Sequence, residues 1–198
     1  MRTNRKTVWG LCTLVTLVIG GAVHSQDPGK QDRDKMMGQW MAAAKPGPFH
    51  QHLKPLIGSW DCTVKMWMSP GMDPMVQKGR IERRWILERR FIMEEYEGSS
   101  EMPFAGLGLV GYNNLTKQYE AVWMDTMSTG MYSETGTCDA TGRKFTFTGE
   151  NFDPISRKMK KTKSTIEIVS PDKHIVRMYD RTPDGKEFVS FEMIATRY

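Results

Sequence analysis

The side chains best placed to do chemistry in this sequence carry sulfur and indole. Of its 16 methionines, Met66, Met68, Met72 and Met75 cluster around Trp67, and a second run is Met124, Met127 and Met131. Thioethers at M-x-M and M-x-x-x-M spacing suit a soft ion such as Cu(I). The same flexible side chains also fill an apolar core or a ligand cavity adaptably. Strand alternation puts Trp67 on the face opposite Met66 and Met68, which separates the indole from those sulfurs. A second constellation is Tyr119, Ala121, Trp123 and Asp125, four residues on one face of an alternating segment. An inward carboxylate at Asp125 needs a partner, and Arg84, Arg90 and Arg177 are the candidates. That group would either orient a ligand in an apolar pocket or form a structural ion pair.

Motifs for covalent or nucleotide chemistry are absent: the chain has no G-x-S-x-G, H-E-x-x-H or P-loop. His50 and His52 could ligate a metal or could cap and pack the segment that holds them. No C-x-x-C or Cys/His ligand spacing supports structural zinc. Cys62 and Cys138 are a candidate disulfide. Closing their 76-residue separation would contribute roughly 4–5 kcal/mol by loop entropy; the alternative is two strand-borne thiols acting as small hydrophobes.

The elements that would position these groups are short strands. From Ser59 the apolar period becomes two, with Trp60, Cys62, Val64, Met66 and Met68 alternating with Asp61, Thr63, Lys65 and Trp67. Nine further segments read the same way: 80–87, 91–96, 106–112, 119–126, 131–138, 144–150, 161–169, 174–180 and 188–197. Turn signals separate them, among them Ser69-Pro70-Gly71, Asn113-Asn114 and Pro183-Asp184-Gly185. Ten strands without intervening helices exclude parallel βαβ folds and leave a sandwich or a barrel. Gly58-Ser59-Trp60 on the first strand and Arg197 on the last favour the barrel. In an antiparallel up-and-down β-barrel of the lipocalin type such an indole crosses the floor, and the arginine stacks on it, a cation–π contact of ~0.5–2 kcal/mol.

Upstream, residues 26–35 read as a polar leader, and Met36, Met37, Trp40, Met41 and Ala44 fall at helical spacing. Pro46-Gly47-Pro48 stops that helix, and 49–57 carries a second short one. The first 25 residues have the layout of a secretory signal peptide. Arg2, Arg5 and Lys6 precede an apolar run from Val8 to Val23, with cleavage expected after Ser25. That run is shorter than the ~20 residues a membrane span needs, so no stable membrane insertion is expected after cleavage. The division is therefore 1–25 signal, 26–57 leader and helices, 58–198 barrel. Removing the signal peptide's three basic residues lowers the net charge from +5 to +2, too little to read as a nucleic-acid binder.

Residues 46–198 closely resemble a bacterial family catalogued as domain of unknown function fifteen seventy-nine. The landmarks include Pro46-Gly47-Pro48 with His50 and Leu53, Gly58-Ser59-Trp60-Asp61, and the stretch from Met66 to Met75. Pro103-Phe104-Ala105-Gly106-Leu107-Gly108, Gly111-Tyr112-Asn113, Trp123-Met124-Asp125-Thr126, Pro183 to Phe188 and Thr196-Arg197 complete the match. Two departures are Glu88-Arg89, where the family carries a glycine pair, and Asn113, where it carries Asp. The resemblance implies a secreted, calycin-like barrel and brings no activity with it.

The combined expectation is a secreted or periplasmic, non-enzymatic barrel, without a cofactor, that binds a small hydrophobic molecule. Met66, Met68, Trp85, Trp123, Asp125 and Phe191 would line the pocket. Two alternatives stand beside it: a Cu(I)-handling protein using Met66, Met68, Met72 and Met75, and an interaction module with a filled barrel.

Overall fold

A computed structural model describes residues 28–99, 103–153 and 156–198. The expected signal peptide, with its cleavage point at Ser25, lies outside these residues. Two compact units divide the chain, Met1–Gln39 and Trp40–Tyr198. The described part of the first, residues 28–39, is entirely helical and begins helix α1 (Pro28–Ala44). The leader expected over 26–35 is thus helical from Pro28 on. Pro28 needs no N–H in a first turn, and Pro46 cannot extend the helix. The expected apolar face is not buried: Met36 and Met37 in the first unit, and Trp40 and Met41 in the second, are all exposed.

Within the second unit, α2 (Pro48–Gln51) and a 3₁₀ turn (Lys54–Leu56) replace the single short helix expected over 49–57. Ten strands follow: β1 (Gly58–Met66), β2 (Met75–Ile86), β3 (Phe91–Gly98), β4 (Phe104–Asn113), β5 (Gln118–Asp125), β6 (Tyr132–Cys138), β7 (Lys144–Asp153), β8 (Lys158–Ser170), β9 (Lys173–Arg181) and β10 (Glu187–Arg197). Each pairs antiparallel with its neighbour in sequence, and β1 pairs with β10, closing the barrel. Closure leaves no sheet edge. Among the described residues no helix is long and apolar enough to cross a membrane.

Because the strands alternate in direction, the β1–β2, β3–β4, β5–β6, β7–β8 and β9–β10 turns gather at one end, here the mouth. The remaining turns lie at the other end, where α2 and the 3₁₀ turn form a plug. Leu53 and Leu56 from the plug are buried with Ile92, Tyr112, Tyr119, Phe145, Phe147 and Ile168. Hydrogen bonds fix the plug. Trp60 Nε1 donates to the Leu56 carbonyl at 3.0 Å, Tyr119 Oη donates to the Phe49 carbonyl at 2.9 Å, and His52 Nδ1 lies 3.0 Å from Tyr119 Oη. His50 is buried and accepts from the Gly47 N–H at 3.0 Å through Nδ1. Capping and packing therefore occupy both histidines considered as metal ligands.

Arg197 closes the same end. Its guanidinium carbon stands 4.2 Å from the centre of a Trp60 ring, while Nη1 donates to the Ile57 carbonyl at 3.1 Å and Nε to Asp172 at 3.0 Å. Asn113 holds the β4–β5 turn by accepting from the N–H groups of Leu115 and Thr116 through Oδ1. A carboxylate oxygen at that position would do the same work. Asn114 donates at 2.8 Å to the carbonyls of Ala43 and Lys45 at the end of α1.

Candidate functional site

Antiparallel register carries one face from strand to strand, so the inward set is read directly from the pairing. Starting from Trp60, the inward residues of β1 are Cys62, Val64 and Met66; across the closing pair they meet Ala195, Met193 and Phe191, and Phe191 meets Met178. On the other side Tyr96 pairs with Gly106, Gly106 with Asp125, and Gly108 with Trp123. Toward the plug this interior is closely packed. Toward the mouth it is not: Met66, Phe104, Trp123, Val176 and Phe191 are only partly buried against the inner cluster. Met178, inward by its pairing with both Ser164 and Phe191, keeps 45% of its surface. Solvent therefore reaches the inward side chains nearest the mouth from that end.

Trp123 is the centre of this half. Its indole lies against β4 where Gly106 and Gly108 leave room: a Cβ on Gly106 would overlap the ring, and one on Gly108 would stand 3.3 Å from it. Trp123 Nε1 donates to Asp125 Oδ2 at 2.9 Å, and Asp125 Oδ1 accepts from the Met127 N–H. Tyr132 sits across the β5–β6 ladder from Trp123. Further round, Glu134 accepts from the Ser164 hydroxyl at 2.7 Å.

Between the open half and the plug lies a buried charge. Arg83 is paired through Nε with Glu94 at 2.6 Å; its side chain is 3% exposed and that of Glu94 22%. Nη1 of Arg83 stands 2.7 Å from His174 Nε2. A guanidinium only donates, so Nε2 accepts and the imidazole proton sits on Nδ1. That buried Nδ1 finds no hydrogen-bond partner among the described residues. Burial first, then the charges of Arg83 and Arg197, lower the His174 pKa to about 2. The ring stays neutral and packs edge-on against Trp60, 4.4 Å between centroids.

Of the residues expected to line a pocket, Met66, Trp85, Trp123, Asp125 and Phe191 all fall on the inward face. Trp85 lies deep, against the plug cluster, and the other four belong to the open half. Met68 does not line it, because it lies beyond the end of β1 and is exposed. In the candidate copper set, Met66 and Met75 are direct cross-strand partners, while Met68, Met72 and Met75 are all exposed.

The arginines expected to meet Asp125 are engaged elsewhere. Arg84 reaches the Met93 sulfur, Arg90 pairs with Glu88, and Arg177 pairs with Glu192 and Glu167. An indole N–H and a backbone N–H take their place at Asp125. Sequence reasoning missed Arg83, Glu94 and His174. Their signal was a charge or ring inside an apolar alternation: Ile81-x-Arg83-x-Trp85 and Ile92-x-Glu94-x-Tyr96.

Cys62 and Cys138 are free, not bridged. Five strand-to-strand steps separate β1 from β6 in either direction round the barrel, so the two thiols belong to opposite walls. Burial pushes the Cys62 thiol up to about 12 and that of Cys138 to about 11. Both are un-ionised at neutral pH and are weak nucleophiles.

Ten antiparallel strands closed round an interior that is packed at one end and open at the other define a small β-barrel with a candidate internal site. The chain belongs to the family described as protein of unknown function (DUF1579), which it matches over residues 45–197. Among solved structures it is similar in fold to Rv2717c from M. tuberculosis, with TM-score 0.58 and 15% identity over 78% of this chain and 99% of that one. It is also similar to the S-type phycobiliprotein lyase CPES from Guillardia theta, with TM-score 0.53 and 12% identity over 75% of this chain and 91% of that one. No curated protein matches the chain.

Proposed function

We propose that this protein is an exported, non-enzymatic binding module whose open half holds a small, largely apolar molecule against Trp123. The observation that carries this reading is the partial exposure of inward Met66, Trp123, Val176, Met178 and Phe191. An apolar wall with a few placed polar groups is the usual make-up of a small-molecule site. Here Asp125 and Glu134 supply the polar groups. The neutral thiols, and His174 with its acceptor nitrogen occupied by Arg83, support binding over catalysis. Export rests on the basic-then-apolar layout of residues 1–25. The Guillardia theta neighbour, a phycobiliprotein lyase, shares the barrel and lends the fold alone.

The test is fluorescence titration with dansyl-undecanoic acid, read by energy transfer from tryptophan. Saturable one-site binding is expected, weakened about tenfold or more by Phe191→Ala through lost apolar contact. Native mass spectra of protein from its own host's exported fraction should show a co-purifying mass. Absence of saturable binding together with a bare polypeptide mass would overturn the reading.

A further inference from the structure

The ring of turns at the mouth has a composition that a solvated rim does not need. Met68 and Met72 stand on the β1–β2 connection, Met127 and Met131 on β5–β6, and Phe152 and Met159 on the β7–β8 hairpin. All six are between 56% and 72% exposed. Phe152 and Met159 are direct cross-strand partners, so the hairpin presents them as one apolar step. Exposed apolar groups scattered singly are ordinary. Six large ones drawn from three turns at one end of a barrel are not.

The charge beside them is basic. Arg157, Lys158 and Lys161 flank Met159 in the same hairpin, and none has an ion-pair partner among the described residues. Nearby carboxylates are already held: Asp180 by Lys160 at 2.6 Å, Glu187 by Lys163 at 2.7 Å, and Asp184 by the Thr182 hydroxyl. Glu150 and Asp153 stand across the ladder from Lys161 and Lys158, and Asp73 lies on the first connection, so residues 150–161 set four cations against two carboxylates and keep a basic excess. Flexible thioethers adapt to an irregular apolar medium. Unpaired Lys and Arg are attracted to anionic headgroups, each by about 1 kcal/mol near the surface.

We infer that the mouth end of the barrel docks on an anionic lipid bilayer, with the methionine–phenylalanine rim entering the headgroup boundary and the Arg157–Lys161 corner holding the surface charge. A bilayer matches both halves of the rim at once, its apolar ring and its unpaired cations. The inference rests on rim exposure and charge alone, and it stands or falls separately from ligand binding in the interior.

Vesicle co-sedimentation tests it, using the full chain so that any contribution of the apolar run 8–23 is common to every variant. Vesicles of phosphatidylcholine with phosphatidylglycerol should retain the protein, those of phosphatidylcholine alone should retain much less, and high salt should release it. Lys158→Glu/Lys161→Glu is expected to lower the affinity for anionic vesicles by about tenfold or more. Met127→Ser/Met131→Ser/Met159→Ser should lower it while leaving the salt dependence in place. These positions are exposed, and near-UV circular dichroism confirms that each variant keeps the barrel. Equal retention on neutral and anionic vesicles, equal retention of wild type and folded variants, or no retention of the wild type each overturns the inference. The last of these outcomes would leave a protein partner as the occupant of the rim.

Discussion

Nη1 of Arg83, on β2, lies 2.7 Å from Nε2 of His174, on β9, and the bond spans the barrel interior rather than running along the sheet. It joins a permanent cation to an imidazole that burial keeps neutral. In the unfolded chain that imidazole takes up a proton near pH 6.5. In the folded one, burial and the neighbouring charges hold its pKa at about 2. Stability from His174 is therefore complete above about pH 6.5 and is lost as pH falls toward the folded value. Buried His50, lowered chiefly by desolvation, acts in the same direction. His174→Gln keeps an acceptor for Arg83 and removes the titration. Between pH 6.5 and 5 it should lose about 1 kcal/mol less per pH unit than wild type, the difference steepening toward about 1.4 at the acid end. Urea unfolding midpoints across that range check this, and parallel profiles would refute it.

The Arg83–Glu94 pair makes its own prediction. Glu94→Ala strands a cation whose side chain is 3% exposed, and breaking a buried pair on one side costs about 3–5 kcal/mol. Glu94 is itself partly exposed, so the loss should fall near the lower figure. Replacing both partners, as in Arg83→Met/Glu94→Leu, removes the stranded charge and should cost clearly less than Glu94→Ala alone. Denaturant melts of the three proteins decide it: a double variant less stable than the single one would mean that the pair contributes net stability.

What the sequence made legible follows from period. All ten strands could be read because a sheet buried on one face alternates strictly, and the turns between them carry Gly, Pro, Asn or Asp. Closure was foreshadowed by Trp60 and Arg197, which do meet, at opposite ends of the barrel chain. The partner of Asp125 was not legible, because alternation fixes a face but not how far along the barrel two inward residues sit. Trp123, only two residues away, satisfied Asp125 without an arginine. Helix α1 misled for a related reason. Helical spacing of Met36, Met37, Trp40 and Met41 states that they share a side, whereas burial depends on what is packed there.

Leu87, Glu88 and Arg89, between β2 and β3, all adopt left-handed backbone conformations, with φ of 47°, 54° and 66°. The turn forms without the glycine pair that the family resemblance places at Glu88-Arg89. Each such residue costs about 1–2 kcal/mol when it carries a Cβ. The Arg90–Glu88 contact in return is a surface pair with Glu88 nearly free in solvent, a contribution of about 0–1 kcal/mol. Glu88→Gly/Arg89→Gly relieves two strained positions, offset in part by a more flexible unfolded chain. A net gain of about 1 kcal/mol is expected, raising Tm by about 2–4 °C. An unchanged or lower Tm would show that this backbone is not strained.

Gly106 and Gly108 separate the seat of Trp123 from ordinary strand packing. Both point inward, yet a methyl group on Gly106 would overlap the indole, while one on Gly108 would meet it at 3.3 Å. The first contact requires the whole ring to move; the second requires a few tenths of an ångström. Gly106→Ala should therefore displace Trp123, break its 2.9 Å bond to Asp125 and leave that carboxylate to solvent at the mouth. Gly108→Ala should leave the bond intact. Tryptophan emission should shift to the red in the first variant and remain unchanged in the second, with both barrels folded by far-UV circular dichroism. Binding of dansyl-undecanoic acid should follow the emission: lost or weakened about tenfold or more in Gly106→Ala, retained in Gly108→Ala. If Gly106→Ala moves the indole and binding persists unaltered, the ligand lies elsewhere in the barrel, and Trp123 packs the wall without forming the site.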